Sequence, residues 1–147
     1  MPVPYQNWND DQDTNLNLAL TNINAALPAP GTGSSVSSRR EVVPFVSDGV
    51  ADYAGAGGRT MEPLNPALRS AITSRGIQIA VLYTTYLPLP TNCFYNVYIA
   101  PFVNNIGPTM QSCASPGLYF EVSPSDGISE AMRALFRRVV KQAHLTQ

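Results

Sequence analysis

The chain has 147 residues, enough for one domain with a buried core. Charged residues make up 13% and the formal net charge is −1, which excludes the basic footprint that a nucleic-acid binder needs. No apolar run approaches the ~20 residues of a membrane-spanning helix, and the opening MPVPYQNWNDDQ has neither the basic flank nor the apolar stretch of a secretory signal.

In place of charge the chain carries 13 Pro, 10 Gly and many Asn, Ser and Thr. Such a neutral, loop-rich surface is commoner in envelope, extracellular or virion proteins than in cytosolic enzymes. Two cysteines, Cys93 and Cys113, are too few for a four-ligand zinc site. They can form a disulfide or stand as two thiols, and their spacing does not choose.

Residues 1–12 read as a polar, irregular segment. Leu16, Leu20, Ile23 and Leu27 then fall on one face of a helix. Thr14 is its expected N-cap, and Pro28 and Pro30 stop it. GTGSSVSS reads as a flexible loop. Val42, Val43, Phe45 and Val46 form a continuous apolar run, as in a strand covered on both faces. Pro44 offers no N–H and so places that strand at an edge or a bulge. DYAGAGGRTMEP reads as loop. Asn65-Pro66 opens a second helix that Gly76 closes.

IQIAVLYTTY is a strong strand, rich in branched and aromatic residues. Residues 86–107 are long, aromatic and rich in Pro and Asn, the sign of a functional loop or of short elements within it. PTMQSCAS reads as a short helix opened by Pro108, and LYFEVS as a strand. A last helix from near Asp126 is expected to turn Ile128, Met132, Leu135, Phe136, Val139 and Ala143 to the sheet, with Glu130, Arg133, Arg137 and Lys141 in water.

Helix and strand thus alternate, which specifies an α/β layer fold with a parallel sheet. Ligands in such sheets bind at the carboxyl ends of strands. Those ends hold Ser47, Asp48 and Gly49, then Thr84 and Thr85, then Ser123. Three strands leave apolar edges open, so strands are expected to be missing on the N-terminal side or borrowed from a partner.

VVPFVSDGVAD resembles the fourth strand and metal loop of von Willebrand factor type A domains, an apolar strand followed by Thr-Asp-Gly, with Ser47 in the Thr position. Thr14 with Leu16 and Leu20 looks like that family's threonine loop, and ITSRGIQIAVL like its later helix-to-strand passage. MQSCASPGLYFEVSPSDGISEAMRALFRRVVKQAHLTQ resembles the C-terminal end of the A domains in TadG-like proteins of the tight-adherence (Flp) pilus machinery. The Cys-Ala-Ser, the Tyr-Phe before a turn and the closing Leu-Thr-Gln are its specific part. The resemblance covers about residues 12–147.

What the resemblance implies is a partial, doubly wound, Rossmann-like A domain over residues 13–147, helices on both faces, lacking its first strands. It implies a non-enzymatic adhesion or assembly module of the cell envelope, binding a protein partner or pilus component. In that family a Mg²⁺ held by loop oxygens accepts a partner's acidic side chain. By position the metal ligands carried over are Thr14 and Asp48. The first-loop Asp-x-Ser-x-Ser is absent, which leaves a degenerate site. Relatives are held in the envelope by an N-terminal transmembrane helix, and no such segment is expected within these residues.

Two other classes compete with this reading. A hydrolase or nucleotide-binding enzyme needs a nucleophile–base pair or a phosphate cradle. His144 is the only histidine and lies at the end of the last helix, while AGAGGRT has no Lys before its Thr. The other class is a self-associating structural subunit that covers its open sheet edge with a second copy.

Overall fold

A computed structural model describes residues 13–35 and 37–144. The expectations for residues 1–12 and for the side chains of Ala143 and His144 lie outside the described residues. In chain order the elements are β1 (Asp13–Thr14), α1 (Leu16–Ala26), β2 (Val42–Ser47), β3 (Val50–Gly55), β4 (Gly58–Pro63), α2 (Leu68–Thr73), β5 (Gln78–Thr84), α3 (Cys93–Tyr98), α4 (Val103–Cys113), β6 (Tyr119–Val122) and α5 (Ile128–His144). The fold is mixed α/β. A parallel sheet has the order β2-β5-β6, and a separate antiparallel sheet has the order β1-β3-β4.

β5 is the centre of the molecule. Its side chains alternate between two cores, and neither face sees water. Ile79, Val81 and Tyr83 join Leu16, Leu20, Ile72, Ile106 and Met110 on one face. Ala80 and Leu82 join Leu118, Val122 and Leu135 on the other. Helices therefore pack on both faces of the sheet: α1, α2 and α4 on one, α5 on the other.

The problem of Pro44 is solved by direction. Gln78 N–H donates to Glu41 O at 3.1 Å, and Val42 pairs with Gln78. Alternation then sends the polar groups of residues 43, 45 and 47 to β5 and those of 42, 44 and 46 to the open edge. Pro44 lacks an N–H where no neighbour asks for one, and β2 is an edge strand.

Several expectations need correction. Residues 50–63, read as loop, form the β3–β4 hairpin, with Gly55 opposite Gly58 across a two-residue turn. Asn15, not Thr14, caps α1: its Oδ1 accepts from Leu18 N–H at 2.8 Å, while Thr14 is spent on β1. Ile23 is 37% exposed, so the inner face of α1 narrows to Leu16 and Leu20. α4 begins at Val103, and Pro108 sits inside it rather than at its start. The ring costs that helix a hydrogen bond, but the burial of Ile106, Met110 and Cys113 along one stripe outweighs it. On α5, Leu135 is 1% exposed but Phe136 is 50% and Ile128 45%; the inward stripe is narrower than the periodicity suggests. The cysteines are both free thiols, Cys93 exposed and Cys113 buried. Burial pushes the Cys113 thiol up to about 11, with the Arg69 charge opposing it.

Two polar devices tie the layers together. Arg75, at the end of α2, donates to Asn24 O, to Asn24 Oδ1 at 2.8 Å and to Leu27 O at 2.7 Å. It satisfies carbonyls that the end of α1 leaves orphaned. Ser115, 5% exposed, lies just ahead of β6. Its Oγ accepts from Ile79 N–H at 3.0 Å, and its own N–H donates to Ile79 O at 2.8 Å. One residue thus extends the β5 ladder beyond the end of β6. Ser115→Ala leaves a buried N–H without an acceptor and is expected to cost ~1–3 kcal/mol in urea denaturation. A loss below ~0.5 kcal/mol would show that water replaces the hydroxyl.

Candidate functional site

The carboxyl end of the parallel sheet gathers the residues singled out in the sequence. β2 ends at Ser47, and the next three residues make a tightly held turn. Ser47 Oγ accepts from Gly49 N–H at 3.0 Å, and Asp48 Oδ1 accepts from Val50 N–H at 3.1 Å. These are the local side-chain turns that Ser and Asp favour. Gly49 has φ +79°, in the left-handed region. A Cβ there would lie 2.6 Å from Ile106 Cγ2 and 2.9 Å from Met110 Cγ. The turn therefore presses directly onto α4.

Thr14 reaches this end through β1, where it pairs with Asp52, four residues beyond Asp48. Its side chain is exposed. Asp52 itself is engaged: its Oδ1 accepts from Arg59 Nε at 2.9 Å and its Oδ2 from a terminal nitrogen of the same guanidinium. The fork is bidentate, and both side chains are mostly buried, at 14% and 16% exposure. The guanidinium also stands 4.6 Å over the Phe94 ring, a cation–π contact that ties α3 to the hairpin. Tyr86 stacks on Tyr95 with ring centroids 6.3 Å apart. Burial holds the Tyr86 phenol above its ordinary value, and the charges of Asp48 and Asp52 add to that shift.

The other strand ends are occupied with structure. Thr85 Oγ1 donates to Val122 O at 3.2 Å. Ser123 N–H donates to Asp126 Oδ2 at 3.2 Å, and Ser123 shares a hydroxyl hydrogen bond of 2.8 Å with Ser125. Beside them, Glu62 Oε1 accepts from Asn17 Nδ2 at 2.7 Å and from Tyr53 OH at 3.0 Å. Asn17 Oδ1 accepts from Asn65 N–H at 2.9 Å. This clamp fixes the first turn of α1 to the hairpin. Its hydrogen bond to Glu62 raises the Tyr53 phenol.

A divalent cation of the Mg²⁺ type asks for six oxygens in an octahedron. What the described residues offer is the Asp48 carboxylate, with one oxygen already accepting from backbone, and the exposed Thr14 hydroxyl. Asp52, the carboxylate paired across from Thr14, is held by Arg59. Among the described residues no group of three His, Cys, Asp or Glu comes together. The donor set does not fit a Mg²⁺ site, and the positive charge at this end of the sheet is supplied by a guanidinium.

Arg59, Phe94, Glu62 and Asn17 were not singled out in the sequence. The first had a legible signal. Asp52 and Arg59 flank Gly55-Ala56-Gly57-Gly58, a glycine-rich hairpin turn, and diagonal neighbours two residues off register share a face. The others are joined across long separations that no local pattern encodes. Comparison with protein-family models, with curated proteins and with solved structures gave no match.

Proposed function

We propose that this chain is a non-enzymatic assembly or adhesion module of the cell envelope, related to the A domains of TadG-like pilus-assembly proteins. In this reading residues 13–147 correspond to the later strands and helices of a doubly wound domain, which works by binding a protein partner. The observation that carries the reading is positional. The parallel β2-β5-β6 sheet has helices on both faces, and its carboxyl end carries the Ser47-Asp48-Gly49 turn close in register to Thr14. The cation loop is degenerate, with Asp52 and Arg59 neutralising each other. Partner binding then runs through protein surfaces rather than through a bridging ion. Among the described residues no helix is long and apolar enough to cross a membrane.

Deleting the coding sequence from the organism that encodes it tests the reading. The expected result is loss of pilus-dependent surface adherence, restored by the intact gene. Unchanged adherence and normal pili would overturn it. A purified sample gives a second arm. Mg²⁺ is expected to leave the melting temperature of the protein unchanged. A rise that Asp48→Asn abolishes would show a working cation site, since a ligand bound only to the folded state raises stability.

A self-associating structural subunit is the second reading. It draws on the open edge of β2 and on an apolar groove of about 380 Å³ beside it, between α1 and β2, lined by Leu20, Ile23, Leu27, Val43 and Phe45. Pro44 counts against simple edge-to-edge pairing of two copies, because it withholds an N–H from that edge and its ring crowds an incoming strand.

A further inference from the structure

One face of the parallel sheet is only partly covered. α5 packs on β5 and β6. A helix is ~10–12 Å wide and strands lie ~4.8 Å apart, so one helix roofs about two strands. The third strand, β2, is left over. Val42 meets the α5 core from the side. The next two residues of the same face, Pro44 and Val46, are exposed, Val46 by 47%.

α5 turns a second apolar strip to this gap. At 100° per residue, Phe136 and Val140 lie about 120° round the helix from the buried Leu135, on one flank. On the other side of Leu135 lie Gln142, about 20° round, and Arg138, about 60° round; Gln142 Nε2 donates to Pro116 O just ahead of β6, and a Cβ on Gly117 would lie 3.7 Å from the Arg138 guanidinium. Phe136 and Val140 are therefore turned to the β2 side, and they are 50% and 53% exposed. Next to them on the solvent side run Arg133 and Arg137, about 160° and 200° round from Leu135, with Lys141 beyond them at about 240°. All three are exposed, and among the described residues none has a hydrogen bond or ion pair. Glu130 is the only acid on α5.

We propose that the trough between β2 and α5 seats an amphipathic α-helix of a partner protein. The apolar ridge of that helix lies on Val46, Phe136 and Val140, and acidic side chains along its edge meet Arg133 and Arg137. The width fits, since a helix packed beside α5 at the usual 8–10 Å spacing comes to rest over β2. The charge fits, since the rim is a row of unpaired cations. The shape favours a helix over an anionic bilayer. The apolar surface has two walls rather than one plane, and the main apolar stripe of α5 is committed to the sheet, unlike that of a helix lying on a membrane. This seat is independent of the relationship to pilus proteins.

The probe is a labelled peptide of about 18 residues with a leucine ridge at helical spacing flanked by Glu, titrated with the full chain and followed by anisotropy. A matching peptide flanked by Lys and vesicles rich in phosphatidylglycerol are the comparisons. The expected result is saturable binding of the Glu peptide, weakened about tenfold by Phe136→Ala, with neither the Lys peptide nor the vesicles bound. The double substitution Arg133→Glu with Arg137→Glu is expected to transfer binding to the Lys peptide. Both variants change exposed positions, so circular dichroism should show them folded. Three outcomes would overturn the proposal: no binding of the Glu peptide, binding indifferent to Phe136→Ala, or binding of the vesicles in preference to the peptide.

Discussion

Gly49→Ala is expected to destabilise the fold by ~2–5 kcal/mol, a large share of the total for a domain of this size. Two separate costs add. The backbone at φ +79° lies where a side chain is penalised by roughly 1–2 kcal/mol. The added methyl would also sit 2.6 Å from Ile106 Cγ2 and 2.9 Å from Met110 Cγ, both on residues without solvent exposure. Forcing an extra carbon into such a core costs ~1–3 kcal/mol. Urea denaturation of the parent and the variant checks the sum. Met110→Ala added to Gly49→Ala makes room for the methyl, so the pair is expected to be less destabilised than the two single losses added together. A cost below ~1 kcal/mol for Gly49→Ala alone would mean that the turn is not pressed onto α4.

The second large effect separates two neighbours. Leu135→Ala is expected to cost ~2–5 kcal/mol, because the side chain is 1% exposed in a core shared with Ala80, Leu82, Leu118 and Val122. Phe136→Ala is expected to cost under ~1 kcal/mol, because half of that ring already faces water. The helical spacing alone predicts the same large penalty at both. Equal large losses would mean that α5 is rotated by about 50° from the orientation described. A small loss at both would mean that it is not docked.

That pair also shows how far periodicity reaches. The apolar positions of α5 cover a wide arc, and the width of the arc does not say which part of it meets the sheet. The answer depends on where β5 and β6 stand beneath the helix. β2 gives the converse case. Its apolar run and its proline placed it at an edge or a bulge, and the hydrogen-bond direction set by Glu41 and Gln78 chose the edge. The hairpin at residues 50–63 was misread because glycines outweighed the short strand segments around them. Val50 and Ala51 are buried in a core assembled from α1, α2, β5 and α4, which exists only once the chain is folded. Pro108 misled in the same way: a proline is most at home in a first turn, yet the buried stripe Ile106, Met110 and Cys113 carries the helix through it.

The site divides along the same line. Asp48 and Ser47 were legible as turn residues at a strand end, since their side chains bond to the backbone two residues on. Thr14, expected as the cap of α1 and, through the resemblance, as a metal ligand, is a strand residue beside Asp52, and Asn15 is the cap. Arg59, whose guanidinium holds both oxygens of Asp52, was legible only through the glycine-rich hairpin turn that the two residues flank.

By itself the sequence determined the three strands of the parallel sheet, the helices α1, α2 and α5 and the neutral, weakly charged surface. These follow from local spacing and composition, which act over one or two turns of chain. The expected cover on both faces of β2 fails, since Val46 is 47% exposed. Tertiary structure alone decided which flank of α5 stays bare and that one strand of three lies without a roof. Each of these depends on groups brought together across tens of residues, where burial and charge are set by neighbours in space.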